Sequence, residues 1–225
     1  KKPSKRKKFY SLKKKFVGES YQSKINKIFK ILRLKKADYL FISSPENVAW
    51  LMNIRGHDNP NSPIPNCRLL IGKNKKLFLI TEKKVAINLI KEKKLKKKQV
   101  INPKKFEDLI KKLNGNKFII DSLSCSFLNE KIIKSNFKII QKEDPCYKLK
   151  SIKNSIEINN TINAHIEDGL ALTKFIYWIK NVNKKNLTEI DAKNKLEKFR
   201  KISKNYLFPS FDTIAGTGSN GAIVH

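Results

Sequence analysis

Between residues 39 and 140 the chain alternates short apolar runs with segments of helical period, and no other feature restricts its fold as strongly. The runs lie at Tyr39–Ile42, Arg68–Ile71, Leu77–Ile80, Gln99–Ile101, Phe118–Asp121 and Phe137–Ile140. Each is about as long as a buried strand. Gly72-Lys73-Asn74-Lys75 joins the second and third runs as a hairpin turn. The intervening segments predict helices over Tyr21–Lys36, Glu46–Met52 (with Ser44 as N-cap and Pro45 in the first turn), from about Thr81, over Pro103–Leu113 and near Ser126–Ile133. Strands alternating with helices, plus one hairpin, predict an α/β domain with a mixed sheet.

Residues 1 to about 20 read as a basic linker with little periodicity. Asp144-Pro145 and the basic segment after it mark a boundary, so the mixed-sheet domain is expected over 21–148 and a second one over 149–225. In the second, a helical stretch runs from about Ser155 to Lys180, with Ile158, Ile162, Ile166, Leu170, Phe175 and Ile179 near helical spacing. Thr188-x-x-Asp191 opens another helix as an approximate capping box. The chain then closes on Phe211-Asp212-Thr213-Ile214-Ala215-Gly216-Thr217-Gly218-Ser219-Asn220-Gly221-Ala222-Ile223-Val224-His225. This reads as a strand-like run, a glycine-rich turn and a second strand presenting His225 at its end. The turn lacks G-x-G-x-x-G spacing and no helix follows it, which argues against a phosphate loop.

The formal net charge is +31, ordinarily a sign of a polyanionic partner. Only five of the fifty basic residues are Arg, however (Arg6, Arg33, Arg55, Arg68 and Arg200), and Arg is the preferred reader of phosphate forks and base edges. Lysines spread among abundant Asn and Ile fit a solvated surface under A/T-rich coding bias better than a specific nucleic-acid site. Cys67, Cys125 and Cys146 are widely spaced, with no C-x-x-C. They fit reduced thiols in a cytoplasmic protein. No apolar run approaches a membrane span, and the basic start lacks the apolar core of a signal peptide.

Three stretches together resemble one family. The closing FDTIAGTGSNGAIVH looks like the segment that opens the active site of Xaa-Pro aminopeptidases (aminopeptidase P), metallopeptidases of pita-bread fold. Glu46-Asn47-Val48-Ala49-Trp50-Leu51-Met52-Asn53-Ile54-Arg55-Gly56-His57-Asp58 resembles the E-I-A-W-L-x-N-x-R-G-x-D run of the middle domain in three-domain members. Lys150-Ser151-Ile152-Lys153-Asn154 through Ala164-His165-Ile166-Glu167-Asp168-Gly169 resembles the helix leading into their catalytic domain. The resemblance implies a creatinase-like mixed-sheet domain followed by the opening part of a pita-bread (α+β) domain. It also implies hydrolysis that releases an N-terminal residue preceding proline, from peptide substrates with penultimate proline, by an enzyme that is a homodimer when complete.

The resemblance further assigns His225 to the substrate pocket, bonding substrate or tetrahedral intermediate and able to move a proton near neutrality. Arg55 and Asp58 become candidates to shape the loop at the mouth of the site, in contact with substrate or as a pair that merely holds the loop. His57 falls at a variable position of the motif, and His165 has the apolar neighbours of a structural histidine. The family uses two divalent metals, usually manganese, held by two Asp, one His and two Glu. Those ligands are expected C-terminal to His225, so no metal and no hydrolysis are expected of these 225 residues alone. The rival reading is a non-catalytic pita-bread module that binds peptides or other protein partners.

Overall fold

The computed structural model describes residues 6–222. In chain order the elements are β1 (Tyr10–Ser11), α1 (Lys14–Val17), α2 (Tyr21–Leu34), β2 (Tyr39–Ile42), α3 (Pro45–Met52), β3 (Ile54–Arg55), β4 (Arg68–Gly72), β5 (Leu77–Ile80), α4 (Ile87–Lys91), β6 (Val100–Ile101), α5 (Phe106–Lys111), β7 (Lys117–Ile120), α6 (Phe127–Lys134), β8 (Lys138–Gln141), α7 (Pro145–Ser151), α8 (Ser155–Asn181) and α9 (Glu189–Arg200). Two compact units divide between Ile156 and Glu157. Helix α7, which closes the first unit, begins at the boundary expected near residue 145 and belongs to the sheet domain.

The first unit is a six-stranded mixed sheet of order β6-β5-β4-β2-β7-β8. The hairpin β4–β5 and the pair β2–β4 are antiparallel, while β2–β7, β7–β8 and β5–β6 are parallel. Alternate side chains feed two cores. Leu40, Ile42, Leu69, Ile71, Leu79 and Ile119 pack against α2, α3 and α4, and Tyr39, Phe41, Leu70, Phe118 and Ile120 pack against α5 and α6. Helices on both faces explain why the strands read as continuous apolar runs and not as alternating ones. Tyr39, Phe118 and Phe137 form a stacked and edge-on aromatic trio within the second core.

Two expectations are overturned. Residues 9–17 are no linker: Phe9 is fully buried, its N–H donates to Val85 O at 2.8 Å, and Tyr10–Ser11 pairs antiparallel with Ile54–Arg55. Lysines dominate the composition there, but Phe9 and Val17 are both buried. Second, the segment from Thr81 is helical only over Ile87–Lys91, because the Thr81 N–H extends the ladder to Ile101 O at 2.9 Å. Ser44 is the N-cap of α3 and Pro45 opens its first turn, as expected; the Ser44 hydroxyl meets that of Tyr147 at 2.8 Å and makes no cap bond.

In the second unit α8 and α9 form as the periodicity and caps require. Thr188 Oγ1 accepts from Asp191 N at 3.1 Å, and Asp191 Oδ2 accepts from Thr188 N at 3.0 Å. Arg200 clasps Asp168 with two bonds, tying α9 to α8. The closing segment differs from expectation. Residues 211–217 form no strand, and Gly218–Ala222 is a 3₁₀ turn. A strand needs a neighbour to complete its backbone bonds, and the described part of this unit offers none. Instead Glu189 accepts from Thr217 N at 2.9 Å and Asn220 Nδ2 at 3.1 Å. The strand end and His225 lie outside the described residues.

Candidate functional site: the loop after helix α3

The motif-bearing segment runs from α3 into β3 and then a loop that returns at Asn66. Helix α3 stops because Asn53 adopts the left-handed conformation (φ 51°, ψ 47°), which asparagine tolerates better than most residues. Two lysines neutralise the carbonyls at this helix end. Lys24, 1% exposed, donates Nζ to Asn53 Oδ1 at 2.8 Å and Trp50 O at 3.0 Å, and stands 4.2 Å from the Trp50 ring centre. Lys94 donates to Met52 O at 3.1 Å and lies over the Tyr21 ring. Cations at a helix C-terminus complement its dipole. Burial pulls the Lys94 ammonium below the ordinary lysine range.

Beyond Asn53 each residue of Arg55-Gly56-His57-Asp58 has a distinct placement. Arg55 extends from β3 and donates to Ile54 O at 2.9 Å and Ala49 O at 3.2 Å, so its guanidinium folds back on the end of α3. Gly56 is required for close approach, since a Cβ there would lie 2.7 Å from Pro65 Cα and 3.2 Å from the Phe9 ring. His57 is exposed and sets its ring 5.4 Å from that of Tyr10.

Asp58 takes its guanidinium from Arg6. Nε donates to Oδ1 at 3.0 Å and Nη2 to Oδ2 at 2.6 Å, and the backbone N–H of Asn66 adds a bond to Oδ2 at 2.7 Å. Arg6 also reaches Asn66 O at 2.9 Å, closing the loop on itself. The Asp58 side chain is only 6% exposed. Burial by itself would raise its pKa, but the Arg6 fork and the Asn66 N–H outweigh that and hold the carboxyl below its ordinary range. Its oxygens are thus occupied in fixing the loop. Arg55 ends β3 and Asp58 lies in the loop beyond it, each with its own anchor, and Arg6, Lys24 and Lys94 are the members of this assembly that sequence patterns did not single out.

A second buried network fastens the far side of α3. Asn47 Nδ2 donates to Asp144 Oδ2 at 2.7 Å, Lys150 Nζ donates to Asn47 Oδ1 at 2.6 Å, and Cys146 N donates to Asp144 Oδ1 at 2.9 Å. Burial raises the Asp144 pKa, opposed by these donors. Asp121 in turn accepts from Asp144 N at 3.2 Å.

Neither network is suited to a metal. Among the described residues no three His, Cys, Asp or Glu side chains converge. Asp58 and Asp144 each commit both carboxylate oxygens to hydrogen-bond donors, and His165 stands exposed on α8. These residues do not fit the two-metal group. Cys67, Cys125 and Cys146 are buried free thiols, each raised by burial. Among the described residues no helix is long and apolar enough to cross a membrane.

With the geometry in place, comparison with known proteins is informative. The family described as Creatinase/Prolidase N-terminal domain matches residues 1–157. Probable Xaa-Pro aminopeptidase P of Paracoccidioides brasiliensis (strain Pb18) is 34% identical over 228 residues, covering 93% of this chain and 36% of its own length. The protein of the same name in Coccidioides posadasii (strain C735) is 32% identical over 226 residues, covering 93% and 34%. This chain therefore spans about a third of the length of these relatives. Among solved structures, the X-prolyl aminopeptidase of Caenorhabditis elegans, described as a cytosolic enzyme with a di-nuclear active site, superposes with a TM-score of 0.80 at 20% identity, covering 94% of this chain and 36% of that one. The prolidase of Pyrococcus horikoshii OT3 gives 0.60 at 22% identity, covering 90% and 55%. At such identities the structural likeness shows the fold. The mixed α/β sheet unit and the match over residues 1–157 place this chain in the creatinase/prolidase N-terminal domain family.

Proposed function

We propose that this chain supplies the creatinase-like middle domain, up to about Ile156, and the opening of the catalytic domain, from about Glu157, of an Xaa-Pro aminopeptidase. The reaction is release of an N-terminal residue that precedes proline. The observation that carries this reading is similarity to probable Xaa-Pro aminopeptidases P that extends over 93% of the chain, so that it embraces both units and the Arg55–Asp58 loop. The complete enzyme uses two divalent metals, manganese by preference, with carboxylate-rich ligands C-terminal to His225. It works in the cytoplasm as a homodimer on peptides with penultimate proline. These 225 residues alone hydrolyse nothing.

In this reading His225 bonds the substrate or the tetrahedral intermediate. Arg55 borders the substrate cleft, and Asp58, held by Arg6 and Asn66, fixes the loop that carries it. A neutral imidazole that gains a bond as charge develops contributes only in the transition state, so its loss lowers kcat more than it raises KM. The test is to express the complete reading frame containing this chain and assay an Xaa-Pro peptide with and without manganese. Metal-dependent release, reduced roughly 10²- to 10⁴-fold in kcat by His225→Ala, is the expected result. A protein inert with every divalent metal would overturn the reading; if it binds the peptide without turnover, it is a binding module.

A further inference from the structure

A cleft of about 480 Å³ opens beside β6, the last strand of the sheet, and five lysines surround it: Lys83, Lys97, Lys98, Lys105 and Lys112. Asp108 is the one carboxylate on its lining. Among the described residues none of the five joins an ion pair. They come from three separate segments and converge on one hollow, a geometry that focuses positive potential.

We propose that this cleft binds a small, multiply charged phosphate compound. Its volume falls within the ordinary range of small-ligand sites. Lysine ammonium groups bind phosphate as point charges, without the fork that reads bases. The lining contains no aromatic side chain and no arginine, which argues against single-stranded nucleic acid, whose sites combine a basic groove with stacking platforms. Val100 and Leu109 give the cleft an apolar wall beside its charges, which suits a phosphate ester better than a bare ion.

Because a chain of charge +31 attracts any polyanion, the test must separate the cleft from net charge. The complete protein is titrated calorimetrically with inorganic tripolyphosphate and with orthophosphate at about 150 mM salt, where long-range attraction is screened. Tripolyphosphate is expected to bind at least about tenfold tighter than orthophosphate. Lys97→Glu/Lys105→Glu/Lys112→Glu should weaken tripolyphosphate at least about tenfold. The matched triple Lys131→Glu/Lys134→Glu/Lys142→Glu, with the same change of charge on the opposite side of the sheet order, should change it less than about twofold. Lys105→Gln/Lys112→Gln, a milder pair at exposed positions, should weaken binding in the same direction and guards against misfolding of the triple. Equal loss in both triples, or no binding at this salt, would overturn the proposal. So would affinity for a single-stranded oligonucleotide that grows with its length and exceeds that for tripolyphosphate.

Discussion

Arg6 and Asp58 lie fifty-two positions apart in sequence and meet through two parallel bonds. A planar fork achieves this where lysine offers one point charge. Arg6→Lys should therefore lower stability by roughly 1–2 kcal/mol and loosen residues 56–66, measured by thermal unfolding and by faster amide exchange at Asn66. Asp38 supports a second prediction. It accepts from Asn116 N at 2.7 Å and Lys117 N at 2.9 Å and pairs with Lys73. Burial raises its pKa, but these partners prevail and bring it down to about 2. A carboxyl depressed in the folded state stabilises fully above its ordinary pKa near 4, and that stability is lost as pH falls toward 2. Asp38→Asn should cost roughly 1–2 kcal/mol at pH 7 and flatten the acid limb of the stability profile; an unchanged limb between pH 4 and 2 would refute the assignment. At this scale Arg55, Gly56 and Asp58 were legible as loop residues because the motif is local. Arg6 was not, since its partner is remote, although an arginine in so lysine-rich an arm is the one signal available. Lys24 was hidden for the opposite reason: lysine on an amphipathic helix ordinarily faces water.

At the level of elements, apolar runs gave the strands to within a residue, because a strand covered on both faces leaves little room for polar substitution. Tyr10–Ser11 escaped notice, being too short for any period and paired with a strand, Ile54–Arg55, that is just as short. The closing strand was expected from β-branched residues, yet a strand is a property of a pair. Gly18 illustrates how the arm is locked. It has φ +68°, and a Cβ would lie 2.3 Å from Asn154 Oδ1, while Asn154 donates to Val17 O at 3.0 Å. Gly18→Ala should destabilise the first unit by about 1–3 kcal/mol in denaturant titration. Helix α8 makes a different prediction. Ile162, Ile166 and Leu170 are 52%, 64% and 57% exposed along one stretch of it, an unusual display of aliphatic surface. The 225-residue chain should bind an apolar dye, and Ile162→Lys/Ile166→Lys should reduce that binding by at least half without lowering the unfolding midpoint. Unchanged dye binding would place the exposed surface elsewhere.

Over the whole molecule the burial is uneven. The two cores lie within the first unit, whereas Ala171 is the only buried residue among those described in the second. Local opening follows local burial. Amides of β2, β4 and β7 should exchange with the global unfolding free energy, and those of 157–200 orders of magnitude faster; equal protection across both units would contradict this division. Membership of an Xaa-Pro aminopeptidase, as proposed, can be read from a single pair of peptides. The protein expressed from the complete reading frame is offered two peptides that differ only in proline or alanine at the second position, with manganese present and then chelated. Release of the first residue from the proline peptide is expected to be at least about a hundredfold faster in kcat/KM than from the alanine peptide, and to be abolished by chelation. Equal cleavage of both peptides, or full activity after the metal is removed, would contradict it.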